Sequence, residues 1–265
     1  MKRIADYNFR TADGRKHTVQ IIYQDEYLLA VNKPAELRVI PDRWVADLPN
    51  LKNMLDSQLH RGMEEDSEHV WVVHRIDADT SGVVLFGRTE ETHRALNQAF
   101  EANMIEKTYL AIVEGSPSPE DGDIDLPISA PVKGKVRIDD SGRPSLTNYR
   151  ILERFRRFSL LEVHPKTGRT HQIRVHLQAI GHPLAVDPVY GHAKQLGIAA
   201  LKRTANFGKY DEEESSLISR LTLHAWKIRF QHPVTGKMVE LEAEPVRDFR
   251  ALLKALRKWD ASDNK

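Results

Sequence analysis

The chain has 265 residues, of which 40% are hydrophobic and 29% charged, with no cysteine and a formal net charge of +1. This length suits one large domain or two small ones and is enough to bury a core. The lack of cysteine excludes a disulfide framework, a thiolate zinc site, an iron–sulfur cluster and a cysteine nucleophile, and no apolar run approaches the ~18 residues of a membrane span. The start, Met1-Lys2-Arg3-Ile4-Ala5-Asp6, turns polar at once, so no signal peptide is expected. A cysteine-free chain is compatible with a reducing compartment, and the cytoplasm is the expected location.

In chain order, residues 19–23 and 27–31 read as strands around the turn at Asp25-Glu26, and Asn32-Lys33-Pro34 ends the second. Residues 51–59 carry Leu51, Met54, Leu55 and Leu59 at helical spacing. An acidic loop is expected at 64–68. Short buried strands are expected at 70–73 and 83–86, with the polar stretch from His74 to Gly82 between them. Thr89 is an N-cap candidate for a helix through Leu96, Ala99 and Phe100, and Glu90 and Glu91 suit its positive end. Residues 107–113 and 158–163 read as strands, and 117–127 as an acidic connection. A helix over 170–180 is stopped by Gly181 and then Pro183. Residues 202–216 read as a surface insertion. Strands follow at 221–230 and 238–243 around a turn at 232–236. The chain closes, over residues 245–260, with an amphipathic helix carrying Phe249, Leu252, Leu253, Leu256 and Trp259. Strands outnumber helices and often follow one another. The pattern therefore predicts an α+β fold, a mixed, largely antiparallel sheet flanked by helices and loops, with residues 1–265 forming a single domain.

The small net charge hides an uneven distribution. Residues 131–176 hold eleven Lys/Arg against four Asp/Glu, a window of +7 that leaves −6 for the rest of the chain. Such a window either faces a polyanion or is an ordinary solvated surface. Several chemistries are absent at the level of motif. There is no phosphate-binding loop, no dinucleotide fingerprint, no H-E-x-x-H and no G-x-S-x-G. His171 and His176 are five apart, about 140° away from each other on a helix, so no metal site is expected.

Two polar clusters remain. Asp77 follows Arg75 and precedes Thr80-Ser81-Gly82. An aspartate before Thr-Ser-Gly can be a turn former that caps its own backbone, or a carboxylate kept ionised near a cation for chemistry. The second cluster runs from Val163 to Leu177 through a tight Lys166-Thr167-Gly168 turn into a helix. There Arg174 is placed to hold a carboxylate or a phosphate with two prongs. The alternative is a charged, solvated helix face.

Together these segments resemble the RluA-type pseudouridine synthase family, whose members isomerise uridine to pseudouridine in structured RNA. His74-Arg75-Ile76-Asp77-Ala78-Asp79-Thr80-Ser81-Gly82 is similar to the family's H-R-L-D-x-x-T-S-G. Residues 107–115 resemble its K-x-Y-x-A-x-V-x-G, and 168–176 its G-R-T-H-Q-I-R-V-H. The opening 23–34 and the closing Leu223-His224-Ala225 with Phe230-Gln231-His232-Pro233 resemble its outer motifs. The likeness spans residues 20–245, in order. It implies catalytic roles for Asp77, Tyr109, which would stack on the flipped base, and Arg174, which would pair with Asp77. It implies substrate binding by Arg75, which helps displace the base, by Leu223 in the base pocket, and by Arg169 and His171. It also implies an RNA partner, ribosomal or transfer RNA, with no obligatory protein partner and no membrane. No cofactor is expected, because the reaction breaks and remakes a glycosidic bond with no net redox change or group donor. About 20 residues precede the match, so the small N-terminal RNA-binding domain that many relatives carry is not expected. The chain departs from the family pattern at Ile76 for Leu, and at Glu36 and Val186 where a glycine is usual; a reshaped loop is expected at Glu36. A nucleoside or RNA N-glycosidase that hydrolyses the same bond and releases uracil, using Asp79 to activate water, is the alternative chemistry.

Overall fold

The computed structural model describes residues 5–10, 16–41, 45, 48–59, 69–202 and 216–262. The acidic loop expected at 64–68 and nearly all of the 202–216 insertion lie outside the described residues. In chain order the elements are β1 (Ala5–Arg10), β2 (Lys16–Gln24), β3 (Leu28–Lys33), α1 (Leu51–Leu59), β4 (Trp71–Val72), β5 (Ser81–Gly87), α2 (Glu90–Glu101) and β6 (Glu106–Glu114). Then come β7 (Asp121–Asp125), β8 (Leu146–Arg154), β9 (Phe158–Pro165), α3 (Gln172–Ala179), β10 (Leu196–Gly197) and α4 (Ile198–Lys202). The last are β11 (Ser216–Ile218), β12 (Leu223–Gln231), β13 (Met238–Glu242) and α5 (Arg247–Trp259). The fold is α+β with largely antiparallel pairing, as the sequence implies. The chain gathers into two compact units, residues 1–107 with 225–244, and residues 108–224 with 245–265.

In the first unit β1, β2, β3 and β5 form an antiparallel ladder, β4 also pairs with β5, and β12 pairs with β13. Every residue of β3 and β5 is buried. Strands covered on both faces read as continuous apolar runs, which is why Leu28–Val31 and Val83–Phe86 stand out in the sequence. The α2 cap is as expected: the Thr89 Oγ1 accepts the Thr92 amide at 3.2 Å.

In the second unit β6, β9, β8 and β7 pair antiparallel in that order. Ala111, Val113, Leu161, Val163 and Tyr149 from these strands pack with Ile173 and Leu177 of α3 and with Leu223. The terminal helix α5 is pinned near both ends. Arg220 donates from Nε and Nη2 to Asp248 in its first turn at 2.8 and 2.6 Å, and Arg157 Nε donates to Asp260, just past its end, at 2.7 Å.

Three sequence expectations need correction. The acidic connection at 117–127 contains β7, an edge strand whose aspartates point outward while Ile124 is buried. Ladder bonds to β8 override the poor strand propensity of Asp and Gly there. Strand β8 was not anticipated, because the buried positions of its inward period are Thr147 and Tyr149, with the aliphatic Ile151 only partly buried beside them. Trp259 is not part of the apolar stripe of α5. It is partly exposed, with the Lys202 and Lys258 ammonium groups 4.8 and 4.6 Å from its ring centroid.

Gly82 opens β5 at φ +119°, and a Cβ added there would lie 2.1 Å from the carbonyl oxygen of Ala225. Gly82→Ala therefore combines an overlap with backbone and a disfavoured φ. We expect a loss of about 3 kcal/mol or more in urea unfolding; a change below about 1 kcal/mol would show that the backbone yields there freely.

Candidate active site

Asp77 lies in the first unit, on the turn that joins β4 to β5. Its carbonyl accepts the Thr80 amide at 3.1 Å, closing the turn, and its side chain is half-buried. The turn is held from beneath by Lys33, which is fully buried at the end of β3. The Lys33 Nζ donates to the carbonyls of Pro34, Leu37 and Ala78 at 2.9, 2.7 and 2.8 Å. A buried ammonium needs such partners, and three carbonyls take up its three protons. Nothing in the sequence beyond a strand-ending Asn-Lys-Pro marks Lys33 for this work.

His74, three residues before Asp77, stacks on Phe100 with centroids 4.8 Å apart. Its Nε2 accepts the Leu85 amide at 2.9 Å. Burial, and then the charge of Lys107, push its pKa down to about 3, so the ring stays neutral and serves as an acceptor. Arg75 is exposed and Ile76 is buried, so the Ile-for-Leu departure is absorbed by apolar packing. Glu36 holds φ +63°. The loop expected to be reshaped there keeps a left-handed backbone that glycine adopts at no steric cost, and Lys33 fixes its neighbours on both sides.

In the second unit Tyr109 stands on β6 opposite Val163 of β9 and is half-buried against the cluster that contains Ile173 and Leu223. Leu223 is itself buried at the start of β12. Arg169 is exposed on the tight turn before α3. His171 is the N-cap of α3, with φ +52° and no capping bond from its side chain; instead its Nδ1 meets the Tyr190 hydroxyl at 3.0 Å.

Gln172, Arg174 and His176 of α3 turn inward, which answers the solvated-face alternative, while Gln178 is exposed. The Gln172 side-chain oxygen accepts from the Thr167 hydroxyl and the Arg169 amide, at 2.7 and 3.0 Å. Its Nε2 donates to the Leu146 carbonyl and the Thr147 hydroxyl, both at 3.0 Å. His176 is fully buried, with its Nδ1 3.0 Å from that same Thr147 hydroxyl and its Nε2 donating to the Leu126 carbonyl at 2.9 Å. Burial lowers its pKa, although the Leu126 carbonyl works in the opposite sense.

Arg174 is 5% exposed. Its Nε and Nη2 donate to Asp187 Oδ2 and Oδ1 at 2.7 and 2.9 Å, the two-pronged contact expected of it, made to a carboxylate that the sequence did not mark. Asp187 is fully buried. Burial alone would push its carboxyl up, but the Arg174 guanidinium and the Val189 and Tyr190 amides outweigh that and hold it below the usual range. Val186, beside it, is buried and donates its amide to the Thr222 hydroxyl at 3.2 Å, so the side chain in place of glycine is packed into the core. Among the described residues no group of His, Asp and Glu is arranged to hold a metal ion.

The basic window is not one surface. Arg137 is paired with Asp139, Arg150 with Glu162, Arg154 with Glu120 and Arg157 with Asp260. Arg157 also donates to the Ala200 and Leu201 carbonyls. Arg154, Arg156 and Arg157 of the basic window thus serve acids from elsewhere in the chain; Arg156 Nε lies 3.7 Å from Asp260. Lys133, Lys135, Arg143, Lys166 and Arg169 are exposed.

Comparison with known proteins agrees with this reading. A family model described as RNA pseudouridylate synthase matches residues 27–179. Ribosomal large subunit pseudouridine synthase D of Zymomonas mobilis is 36% identical over 247 residues, which is 90% of this chain and 73% of that protein. Ribosomal large subunit pseudouridine synthase C of Pasteurella multocida is 32% identical across 92% of this chain and 70% of its own length. The solved structure of human RNA pseudouridylate synthase domain containing 4 shares the fold, with a TM-score of 0.69 at 24% identity, covering 89% of this chain and 92% of that one. Matched by the family model over more than half its length, and by relatives above 30% identity over nine-tenths of it, this chain belongs to the RNA pseudouridylate synthase family and is an enzyme that isomerises uridine to pseudouridine in RNA.

Proposed function

We propose that the substrate is a uridine of large-subunit ribosomal RNA, and that Asp77, Tyr109 and Arg174 carry the reaction. The observation that supports this most is Asp77 itself: a half-buried carboxylate on a turn whose backbone is clamped by a fully buried lysine. A reactive group held this way loses little freedom on meeting its substrate. The choice of RNA rests on the relatives named ribosomal large subunit pseudouridine synthases, and a ribosomal substrate places the enzyme in the cytoplasm. This reading takes residues 1–265 as one catalytic domain.

The target base must leave its stack before its glycosidic bond can be reached. Tyr109 replaces the lost stacking, a contribution of about 1–3 kcal/mol for an aromatic wall, while Leu223 lines the base pocket. Arg75 assists extrusion. Arg169 and His171 contact the RNA at the start of α3. Asp77 acts at the sugar, and Arg174 is the cation of the catalytic set. The exposed cations Lys133, Lys135, Arg143 and Lys166 hold phosphates, so binding is salt-sensitive. Mapping pseudouridine in ribosomal RNA of cells with and without the protein tests the substrate. Loss of one or a few large-subunit positions is the expected result, whereas loss confined to transfer RNA, or release of free uracil, would overturn the reading.

Asp77→Asn keeps the shape of the side chain and removes its charge. RNA affinity should stay within about twofold of wild type, while single-turnover pseudouridine formation disappears. For Tyr109, substitution by Phe keeps the ring face and should retain most activity, whereas Leu removes the platform and should lose it; near-wild-type rates in both would exclude a stacking role. Asp187→Asn removes a carboxylate charge from beside the buried Arg174 guanidinium. We expect a loss of about 3–5 kcal/mol and a slower turnover at saturating RNA. The sign with pH follows from the depressed Asp187 carboxyl. Its contribution is complete at neutral pH and is lost as pH falls through the folded value, so the variant's stability should depend less steeply on acid. Urea unfolding near neutral pH and again under acid conditions measures both effects.

A further inference from the structure

Residues 127–143 of the second unit form a hairpin that neither the core nor the motif helix explains. Val132 and Lys135 exchange backbone bonds of 2.8 and 3.0 Å around Lys133 and Gly134, at φ +49° and +76°. Positive φ at both central residues marks the tight turn that matches strand twist. Lower down, the Ser129 amide donates to the Arg137 carbonyl at 2.9 Å, and Ile128 exchanges bonds with Arg143. The stem is anchored: Ile128 and Val136 are buried with Val175 of α3 and Tyr190. The tip is not, for Val132 is 71% exposed and Lys133, Gly134 and Lys135 are exposed too. A cationic tip without apolar support suits the phosphate backbone of RNA.

Tyr190 joins this hairpin to the arginine of α3. Its hydroxyl accepts the Val136 amide at 2.9 Å and meets the His171 Nδ1 at 3.0 Å. Its ring lies beneath the Arg174 guanidinium, 5.0 Å from carbon to centroid, and its own amide donates to Asp187 Oδ1 at 3.0 Å. The Tyr190 side chain thus touches the hairpin stem, the N-cap of α3 and the Arg174 guanidinium, and its backbone amide reaches Asp187. A second observation marks the same hydroxyl. His171 holds a left-handed backbone at φ +52°, which costs free energy for a residue with a side chain and persists only where its surroundings impose it. That strained residue starts the helix three positions before Arg174, and Tyr190 is its side-chain partner.

We propose that Tyr190 is a positioning residue that couples the grip of the 127–143 hairpin on the RNA backbone to the setting of Arg174. The proposal rests on the reading of Arg174 given above. Packed elements shift as units and do not deform continuously. A hairpin drawn toward RNA at its tip moves the Val136 amide. That movement is passed through the Tyr190 hydroxyl to the ring beneath the guanidinium and to the first residue of α3. RNA held at the tip in the productive register therefore sets the arginine, and RNA held elsewhere does not.

The test is a double-mutant cycle with Tyr190→Phe, which keeps the ring and removes the hydroxyl, and Lys133→Ser with Lys135→Ser at the tip. The substrate is an unmodified transcript of large-subunit ribosomal RNA. Tyr190→Phe should bind it within about twofold of wild type yet isomerise it about tenfold more slowly at saturation. The tip substitutions should weaken binding, flatten its salt dependence, and slow the saturated rate about fivefold in the wild-type background but less than about twofold beside Tyr190→Phe. Equal rate losses in both backgrounds, or a wild-type rate for Tyr190→Phe, would overturn the coupling. A readout independent of turnover is the NMR signal of the Arg174 Nε–H, protected from solvent exchange by burial and by its bond to Asp187. Adding a stem-loop transcript should shift it in the wild type and leave it in place in Tyr190→Phe. No shift in the wild type, or the same shift in both, rejects the proposal. A wild type that shows the differential shift but makes no pseudouridine instead rejects the ribosomal substrate and keeps the coupling.

Discussion

A guanidinium can be taken out of water only if its donors are met and its charge is answered. Arg174 satisfies that condition with Asp187, and much of the second unit is organised by the pair. The segment from Leu184 to Tyr190 must lie against α3 to bring the carboxylate within reach, and α3 must start at a fixed place for the two prongs to align. The start is fixed by Gln172, which ties the approach to α3 back to Leu146 and Thr147 of β8. One turn further on, His176 uses the same Thr147 hydroxyl and the Leu126 carbonyl beyond it. The helix is seated by polar bonds on its buried side as much as by Ile173 and Leu177.

This polar seating explains what was legible in the sequence. Helix α1, the cap of α2 and the buried strands β3 and β5 announce themselves, because apolar period and capping residues are local signals. The motif from Gly168 to His176 was legible only as a resemblance. Its own composition reads equally well as a solvated surface, and the partners that decide the matter, Thr147, Leu126, Asp187 and Tyr190, are distant in sequence. Strands β7 and β8 were missed for a related reason. Asp121 to Asp125 has no intrinsic wish to be extended, and only the ladder offered by β8 makes it so. Asp77, Tyr109 and Arg174 were each singled out from sequence; Asp187 and Lys33, which hold two of them in place, were not.

Charge gave the most misleading local signal. A window of +7 invites the picture of a single basic face, yet Glu120 and Asp260, outside the window, and Glu162 and Asp139, within it, take up four of its arginines. Linear charge density records which residues are neighbours along the chain, whereas the field outside the protein depends on what folding pairs off. The exposed cations outside these ion pairs are fewer, and two of them cluster at the hairpin tip.

The three carbonyls gathered around Lys33 have a further consequence. They come from residues 34, 37 and 78, and without the ammonium they would face one another as like dipoles. Arginine, the usual stand-in for lysine, offers a flat fork in place of a radial point charge and cannot aim at three converging oxygens. The turn that carries Asp77 therefore acquires its shape only when two stretches some forty residues apart have already met. The presentation of the carboxylate is thus a property of the assembled first unit, in which the β3–β5 register sets Lys33 opposite Gly82, and not of the Asp77 turn by itself.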